Sequence, residues 1–600
     1  MKPFFHSPDH KISFIRRFFL TNAQAIQAIS FLIFALLIYD LGYNDNLLQG
    51  IFGMVISILL LALVVGYTFK LFSKFEKYTK VRFISELGII LLLLVASLYQ
   101  LEVFSFSGKE SFTNIESKDL IVILVIFLIF LIELSKVSLT VNRLKIHPAM
   151  IFVLSFFIVI LIGMLLLSLP NATINGISAV DALFTSTSAV CVTGLIVLDT
   201  SSDFTFLGQV IILILFQVGG LGMMTFTSFF GFFFKGSYSL QNQLFLRDFI
   251  NEENINAVNS TVVKIILFTL IVEGSAAILI FLSVDTNLFQ TSGDQVFYSI
   301  FHAVSGFCNA GFSTLSDGLY QSGFRHLYNM QLVIAAAIIL GGIGFPVVVA
   351  YYGYLRHVWV GTKRVVTGVE AYRHAPRVVN VNVRLITYTT VILLVVGFVT
   401  YLIFEQDSTL KGLSLYGKFV TAVFGSVTPR TAGFNTVDMG ALAMPTILIY
   451  LILMWIGASP GSTGGGLKTS TFAVAVLNTI SISKGKDRVE VFNRQIENQT
   501  LRKAFAVILL SFLIIGLGVF FVVLMNPELE LIAVAFEIFS AFSTVGLSLG
   551  ITGDLSTGSK LVVTVIMFLG RVGTLTVLVA FVRKTRNLRY KLPEETVFIT

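Results

Sequence analysis

Long uninterrupted apolar runs are the feature that most constrains this chain. Segments such as 120-LIVILVIFLIFLI-132 and 151-IFVLSFFIVILIGMLLLSL-169 contain almost no polar residues. A helix that rises about 1.5 Å per residue needs about 20 such residues to cross about 30 Å of hydrocarbon. The strands of a membrane barrel would instead alternate apolar and polar residues. Because the 600-residue chain is 56% hydrophobic and only 12% charged, an all-α membrane protein is predicted.

The distribution of basic residues predicts how the chain is oriented. Twelve spans are expected, near residues 22–43, 48–70, 84–104, 119–137, 149–169, 206–234, 262–283, 330–355, 385–404, 444–482, 504–525 and 560–582. Alternate connections hold 32 of the 41 basic residues. Lys and Arg accumulate in cytoplasmic connections, so a multi-pass protein of the cell (inner or plasma) membrane with both termini cytoplasmic is expected. This asymmetry explains the net charge of +8, and no nucleic-acid partner is expected.

An internal fourfold repeat is visible in the sequence. Its members are 183-LFTSTSAVCVTGL-195, 300-IFHAVSGFCNAGF-312, 422-AVFGSVTPRTAGF-434 and 535-AFEIFSAFSTVGL-547. The spacings between their glycines are 117, 122 and 113 residues. In each repeat a half-length apolar segment precedes the glycine motif and is too short to cross the bilayer, so it must enter and return. The half-length segments lie near 180–191, 296–307, 418–428 and 533–543.

These repeats predict the domain organisation. Four helix–pore loop–helix repeats in a pseudo-fourfold arrangement are expected, preceded by four extra N-terminal transmembrane helices. The boundaries are residues 1–142 for the extra helices, 143–260, 261–383 and 384–502 for the first three repeats, and 503–600 for the fourth repeat with a cytoplasmic tail. Non-helical backbone at membrane depth is tolerated where it lines a water-filled path, and the charge count places all four loops on the outer side.

The loop residues suit a cation filter. A ring of backbone carbonyls can replace the water shell of a cation, and glycine permits the dihedral angles that such a ring needs. All neighbours of the glycines are uncharged, so a ring of acidic side chains is not expected. The alternative is that these glycines serve only helix packing. The candidate filter residues are Val192, Thr193, Gly194, Asn309, Ala310, Gly311, Thr431, Ala432, Gly433, Thr544, Val545 and Gly546.

Two further features stand out inside predicted spans. The stretch 457-GASPGSTGGGLKTST-471 interrupts the tenth span with a proline and five glycines, which predicts a break in the helix. A nucleotide-binding loop is not expected there, because Leu467 separates Gly466 from Lys468. Arg571 is a charge well inside the last span, where charged residues are costly. It is either functional or paired with an intramembrane acid such as Glu273.

The four loops resemble the filters of the Trk/Ktr/HKT superfamily of potassium transporters, with its TrkH- and KtrB-like pore subunits. The resemblance covers roughly residues 147 to 585 and rests on VCVTGLIVLDT (190–200), FCNAGFSTLSDGL (307–319), VTPRTAGFNTVDMGAL (427–442) and FSTVGLSLG (542–550). It implies potassium-selective uptake, with potassium as the only metal ion and no cofactor in this chain, and it does not imply an enzyme. Glycine at Gly194 resembles the potassium-selective members. The alternative is a sodium-permeable or cation-symporting member.

The resemblance also implies a gate and partners. The gate would comprise Gly461, Ser462, Thr463, Gly464, Gly465, Gly466, Lys468 and Arg571. Arg430 would brace the third filter electrostatically. Family members pair as homodimers and work with a separate cytoplasmic nucleotide-binding regulatory subunit. The four N-terminal spans exceed the core fold, and the fourth contains Glu133 and Lys136 rather than regularly spaced arginines. A peripheral bundle that braces the protomer or contacts a partner is therefore expected, not a voltage sensor.

Overall fold

The all-α architecture predicted from the sequence is confirmed. A computed structural model describes residues 9–43, 49–73, 80–100, 122–123, 125–130, 132–133, 148–233, 258–366 and 380–581. Within these ranges most of the residues are helical. The helices are Asp9–Gly42, Gln49–Ser73, Lys80–Gln100, Pro148–Leu167, Ala179–Val190, Phe206–Phe233, Val258–Ser283, Ser292–Cys308, Tyr328–Gly342, Phe345–Val366, Val381–Phe404, Leu415–Val427, Met444–Trp455, Thr469–Ser483, Asn498–Met525, Leu531–Ser543, Thr557–Val572 and Thr574–Phe581.

Short elements join some of these helices. Single 3-10 turns occur at Pro170–Ala172, Thr286–Leu288, Gly318–Tyr320 and Met439–Ala441. One small antiparallel hairpin pairs Glu490–Val491 with Arg494–Gln495. Its two loop residues, Phe492 and Asn493, have φ values of 50° and 60°. Two consecutive positive φ angles are typical of the tight turns that match the twist of a hairpin.

The long helices account for the membrane crossings. By length and apolar composition, five helices of the described ranges could each cross a membrane, or six if one bent pair is counted as a single crossing. The remaining predicted spans of these ranges also coincide with helices: Lys80–Gln100 and Phe206–Phe233 are continuous, with 21 and 28 residues, and the others are shorter or interrupted. The described residues between 122 and 133 are helical, so part of the fourth predicted span is also present.

Two predicted spans differ from the continuous helices expected. The span predicted over 330–355 consists of Tyr328–Gly342 and Phe345–Val366, which meet at an angle of 97°. Gly344 has φ 90°, and the N–H group of Phe345, the first residue of the second helix, donates to the carbonyl of Gly461 at 3.0 Å. The span predicted over 560–582 is interrupted at Gly573, where φ is 86°. Left-handed φ values end a right-handed helix and are accessible to glycine at little cost.

The four half-length segments are present as short helices, here called the re-entrant helices. They are Ala179–Val190, Ser292–Cys308, Leu415–Val427 and Leu531–Ser543. Three begin at a side-chain cap: Ser178 accepts from the N–H of Asp181, Thr291 forms a reciprocal capping box with Asp294, and Ser414 accepts from the N–H of Gly417. Such caps satisfy N–H groups that a helix start leaves without partners.

The N-terminal helices form a core of their own. A cluster of buried side chains runs from Ile26 to Ile129 and is separate from the large cluster that extends from Phe152 to Val572. Inside the N-terminal cluster the hydroxyl of Tyr67 donates to Glu133. One hydrogen bond to the rest of the chain runs from the side-chain amide of Asn171 to the carbonyl of Leu41, at 3.2 Å. This organisation fits the peripheral bundle predicted from the sequence, whose role stays a prediction.

Candidate functional site

Each re-entrant helix is followed, within a few residues, by a three-residue segment with an unusual backbone. The first and third residues of each segment have positive φ, and the middle one does not. For a residue with a β-carbon this conformation costs about 1 to 2 kcal/mol, so the surrounding structure must hold it. The φ values are 56° at Val192 and 88° at Gly194, 59° at Asn309 and 71° at Gly311, 71° at Thr431 and 79° at Gly433, and 51° at Thr544 and 92° at Gly546.

The N–H groups of these segments turn back toward the re-entrant helices. In the first loop the N–H of Thr193 donates to the carbonyl of Ser188 at 2.7 Å, and the N–H of Gly194 donates to the hydroxyl of Ser188 at 3.1 Å. The fourth loop repeats both bonds on Ser540, at 2.9 and 3.0 Å. Because a trans peptide points its C=O opposite to its N–H, the carbonyls of Val192 and Thr193 face away from the helix.

The four glycines form a closed ring. A β-carbon added to any one of them would come within 2.9 Å of a carbonyl oxygen of the next loop. The contacts run in chain order and return to the start: Gly194 against Ala310, Gly311 against Ala432, Gly433 against Val545, and Gly546 against Thr193. The structure therefore brings all four predicted loops together around one axis. No room remains for a side chain at the glycine positions.

In the second and third loops, a hydroxyl group at the end of the re-entrant helix or just after it binds the residue that follows the ring glycine. The hydroxyl of Ser305 donates to the carbonyl of Phe312 at 2.8 Å, and that of Thr428 donates to the carbonyl of Phe434 at 2.5 Å. In the better-bonded orientation of its amide, Asn309 donates to the carbonyls of Gly306 and Ile338 and accepts from the hydroxyl of Thr431 at 3.0 Å. Adjacent loops are thus tied by polar side chains as well as by backbone contact.

The interrupted tenth span forms a compact loop over 456–468. The helix Met444–Trp455 precedes it and Thr469–Ser483 follows it. Its two ends pair with each other, because Ile456 and Leu467 form an isolated bridge and the N–H of Ala458 donates to the carbonyl of Gly465 at 3.3 Å. The break predicted from the proline and glycines is present. The strong turn-forming residues of this stretch explain why no continuous helix forms.

The middle of this loop lies directly against the ring. A β-carbon added to Gly464 would collide with the hydroxyl of Thr431, and one added to Gly465 with the hydroxyl of Thr544. The N–H of Gly465 donates to that Thr544 hydroxyl at 3.0 Å. The hydroxyl of Thr463 donates to the carbonyl of Phe307 at 3.1 Å. Thr463, Gly464 and Gly465 therefore contact the ends of three re-entrant segments.

The other predicted gate residues contact the eighth predicted span, the loop itself or the end of the fourth re-entrant helix. Gly461 is exposed and packs against Pro346 at the bend between the two halves of the eighth predicted span. Ser462 is buried and donates to the carbonyl of Ser459 within the loop. Gly466 is half-buried and lies beside Ser543, and Lys468 donates to the carbonyl of Gly464 at 2.7 Å.

Two buried arginines hold the loop by its carbonyl groups. Arg571, only 1% exposed, donates to the carbonyls of Thr463 and Gly219, the second at 2.6 Å. Arg430 donates to the carbonyl of Gly457 at 3.0 Å. The considered ion pair between Arg571 and Glu273 is not formed, since Glu273 accepts from Gln217 and lies near the thiol of Cys308. Among the residues that the structure describes, Arg571 is therefore bonded to the loop and to Gly219, and not to an acid.

A second set of close approaches was not anticipated from the sequence. Gly219, Gly341 and Gly570 lie in the helices that follow the first, second and fourth loops. An added β-carbon on each would collide with a carbonyl at the end of a re-entrant helix, at Val190, Phe307 and Phe542 respectively. Each of these carbonyls belongs to the residue four positions before a ring glycine. The recurrence of a glycine 24 to 30 residues after each of those ring glycines was a signal in the sequence.

The chemistry of the site favours a cation held by uncharged oxygens. In the part of the chain that the structure describes, no group of three or more His, Cys, Asp or Glu side chains is arranged to hold a metal ion. Cys191 and Cys308 are buried free thiols. The ring offers backbone carbonyls from four directions, and the negative ends of four helix dipoles terminate beside it.

Comparison with known proteins relates the whole arrangement to ion transport. Residues 118–590 match the family model TrkH, described as "Cation transport protein". The chain is 35% identical to the "Ktr system potassium uptake protein B" of Bacillus subtilis over 76% of its own length and 98% of that protein. It is 34% identical to the "Potassium/sodium uptake protein NtpJ" of Enterococcus hirae, again over 76% of its length and 98% of the relative. The crystal structure of the potassium transporter TrkH from Vibrio parahaemolyticus matches in fold with a TM-score of 0.55 and 17% identity, covering 88% of this chain and 97% of that one.

Proposed function

Because this chain belongs to the TrkH family of membrane cation transport proteins, we propose that it conducts potassium into the cell through the ring of four loops. One observation carries the proposal: the glycines at 194, 311, 433 and 546 close a ring in which an added β-carbon on each would collide with a carbonyl of the next loop. Carbonyl oxygens can replace the water shell of a potassium ion without adding a fixed charge. The membrane potential would drive uptake with about 2.3 kcal/mol per charge per 100 mV.

The gate is proposed to be the loop 456–468 with Arg571. The loop touches the ends of three re-entrant segments, so it would narrow the path on the side of the ring opposite to the outer entrance. Arg571 would hold the loop in the closed position through the carbonyl of Thr463. Arg430 would brace the start of the loop through Gly457.

The proposed orientation and assembly follow the family. The ring would face outward and both termini would be cytoplasmic, in line with the distribution of basic residues. A relative is named as one component of a "Ktr system", which supports a partner protein. That this partner is a separate cytoplasmic regulatory subunit that binds nucleotides is proposed from the family resemblance. We further propose a homodimer.

A sodium-permeable or cation-symporting function is the second candidate. One relative that covers the same 76% of the chain is named a potassium/sodium uptake protein, which favours this reading. The four ring glycines favour potassium selectivity, because the family resemblance links sodium-carrying members to a serine at the position of Gly194. Competition between sodium and potassium for uptake separates the two candidates.

Growth rescue provides the first test. Expression of the full chain in a cell that lacks its own potassium uptake systems is expected to restore growth at low external potassium. The matched control is the same chain with Gly433→Asp, which places a charged side chain where the next loop leaves no room. Failure of the wild-type chain to rescue growth, despite normal membrane insertion with a regulatory partner supplied, would contradict the proposal.

A further inference from the structure

One position of the re-entrant helices differs in chemistry between the repeats. Nine residues before the ring glycine, the second and fourth repeats carry the ionisable side chains of His302 and Glu537, whereas the first and third carry Thr185 and Phe424. All four side chains are buried, with exposed fractions of at most 1%. Neither His302 nor Glu537 takes part in the ion pairs found among the described residues. Because such groups are costly to bury without polar partners, their hydrogen bonds indicate their role.

His302 joins its own helix to the second loop. Its Nδ1 atom lies 2.9 Å from the carbonyl oxygen of Tyr298, which can only accept, so Nδ1 carries the proton. A neutral imidazole then accepts at Nε2, and the hydroxyl of Ser313 lies 2.9 Å from that atom. The same hydroxyl accepts from the N–H of Leu315 at 3.1 Å. Since Ser313 is the second residue after Gly311, His302 holds the loop just beyond the ring.

Glu537 makes the corresponding connection in the fourth loop. Its Oε1 atom accepts from the hydroxyl of Thr552 at 2.5 Å, and the oxygen of that hydroxyl lies 3.0 Å from the hydroxyl oxygen of Ser548. Ser548 is the second residue after Gly546, and it accepts from the N–H of Gly550 at 3.0 Å. The serine and its backbone partner therefore match those of the second loop, with Thr552 as an intermediate.

The first and third repeats lack this connection. The hydroxyl of Thr185 has no partner within the described part of the chain, and the side chain of Phe424 has no polar atom. The residues two positions beyond the ring glycine are Ile196 and Asn435 in these repeats, and Asn435 donates to the carbonyl of Asp317 in the second loop. Because the contacts of the ring run in chain order, the second and fourth loops face each other across it. The connections thus have twofold symmetry, not fourfold symmetry.

We propose that His302 and Glu537 are positioning residues that help to set the ion selectivity of the ring, by fixing the outer ends of two opposite loops. This inference rests on the proposed conduction of potassium through the ring. Sodium is smaller than potassium, so a ring whose carbonyls can move inward binds sodium more readily. Supporting hydrogen bonds keep a binding geometry to within about 0.5 Å. Both residues act here as hydrogen-bond acceptors and neither contacts the ion.

Permeability ratios of single variants are the first arm of the test. The potassium-over-sodium ratio is measured with the purified full chain and its regulatory partner in proteoliposomes. His302→Phe removes the acceptor, and a phenylalanine, Phe424, occupies the same position in the third repeat. Glu537→Leu removes the carboxyl acceptor. Each variant should lower the ratio about two- to fivefold, as expected for one lost hydrogen bond. Glu537→Gln keeps an acceptor oxygen and should restore most of the ratio that Glu537→Leu loses.

Thr185→Val is the matched control, because it changes the same position of the first repeat and removes a hydroxyl without a partner among the described residues. It should keep the wild-type ratio. A purely structural role would lower the melting temperature alone, so wild-type ratios in folded His302→Phe and Glu537→Leu would overturn the proposal. Equal losses in Glu537→Gln and Glu537→Leu would overturn it too, since charge would then be responsible. A wild-type chain that takes up both ions equally would overturn the proposed function, and the positioning role with it.

A double-mutant cycle tests how the effect reaches the second loop. Ser313→Ala removes the hydroxyl partner of His302 without changing the re-entrant helix, so it keeps the test informative if His302→Phe does not fold. Ser313→Ala alone should lower the permeability ratio. If His302 acts through Ser313, the double variant should lower the ratio no further than the stronger single variant. An unchanged ratio in Ser313→Ala, or two losses that multiply in the double variant, would overturn the positioning role of His302.

Discussion

The ring and the loop 456–468 contact each other, but different kinds of interaction hold them in place. The ring takes one short segment from each of four repeats, and each segment has the same alternation of φ and the same contact with its neighbour. The loop comes from one repeat alone and is held by two arginines that have no counterpart in the other repeats. Its contacts are hydrogen bonds to carbonyl and hydroxyl groups, which can be exchanged for others.

This contrast supports the two tasks proposed above, ion selection by the ring and gating by the loop. A ring with left-handed backbone at eight positions and no space for a β-carbon at its glycines has one well-defined geometry, as ion selection requires. A loop held by a few polar contacts can adopt a second arrangement at modest cost, as gating requires. We therefore expect changes in the ring to affect which ion passes, and changes in the loop to affect how much passes.

The largest effect is expected from a side chain added to the ring. Gly433→Ala places a β-carbon against the carbonyl of Val545, at a position with φ 79°. The potassium-over-sodium permeability ratio should fall at least about tenfold, which corresponds to about 1.4 kcal/mol. Flux of both ions into proteoliposomes measures this ratio. The matched control is Gly516→Ala in the helix Asn498–Met525, where nothing lies within 4 Å of the added atom. Equal permeability ratios in the two variants would show that the ring does not determine ion selectivity.

Removal of Arg571 should have the next largest effect, and on a different quantity. Arg571→Ala deletes the bonds to the carbonyls of Thr463 and Gly219. If the two bonds together contribute about 1.4 kcal/mol to the closed arrangement, potassium flux should rise about tenfold. The permeability ratio should stay unchanged. A folded variant with reduced flux would show that Arg571 supports conduction instead of restricting it.

A single hydroxyl of the loop should matter less. Thr463→Val keeps the shape of the side chain but loses the hydrogen bond to the carbonyl of Phe307. Loss of a bond worth about 0.5 to 1 kcal/mol predicts a two- to fivefold rise in flux. Ser470→Ala serves as the control, because residue 470 lies in the following helix outside the loop. A changed permeability ratio in Thr463→Val would contradict the expectation that changes in the loop affect only how much ion passes.

The smallest effect is expected where the fourth repeat meets the first. Lys560 forms an ion pair with Asp181 at 2.7 Å, with both side chains partly exposed. Lys560→Gln should lower the melting temperature slightly, by a stability loss of about 1 kcal/mol or less. The reversed pair, Lys560→Asp with Asp181→Lys, should recover part of the loss, and the ion ratio should not change. A large fall in the potassium-over-sodium permeability ratio would mean that this ion pair is needed to maintain the geometry of the ring.

Much of the ring was predictable because its signals were local and repeated. Half-length apolar segments predicted the four re-entrant helices, and a glycine at nearly constant spacing predicted where each loop lies. The positive φ of Gly194 follows from glycine itself. The positive φ of Val192 and Thr544 does not, because it is imposed by hydrogen bonds from the following residues to Ser188 and Ser540.

The inner region was less predictable because its contacts join residues far apart in the chain. The prolines and glycines of 457–471 predicted a break, but not that Arg571 bonds to Thr463, 108 positions earlier. The bend at Gly344 depends on the carbonyl of Gly461, a partner that no local pattern reveals. Long-range polar contacts of this kind carry no periodic signal in one sequence.

The most direct test of the central claim is ion competition with the purified full chain and its regulatory partner in proteoliposomes. Uptake of labelled rubidium, as a stand-in for potassium, is measured against equal external potassium or sodium. The ring of four glycines predicts strong inhibition by potassium and little by sodium. Equal inhibition by both ions, or stronger inhibition by sodium, would contradict a potassium-selective ring.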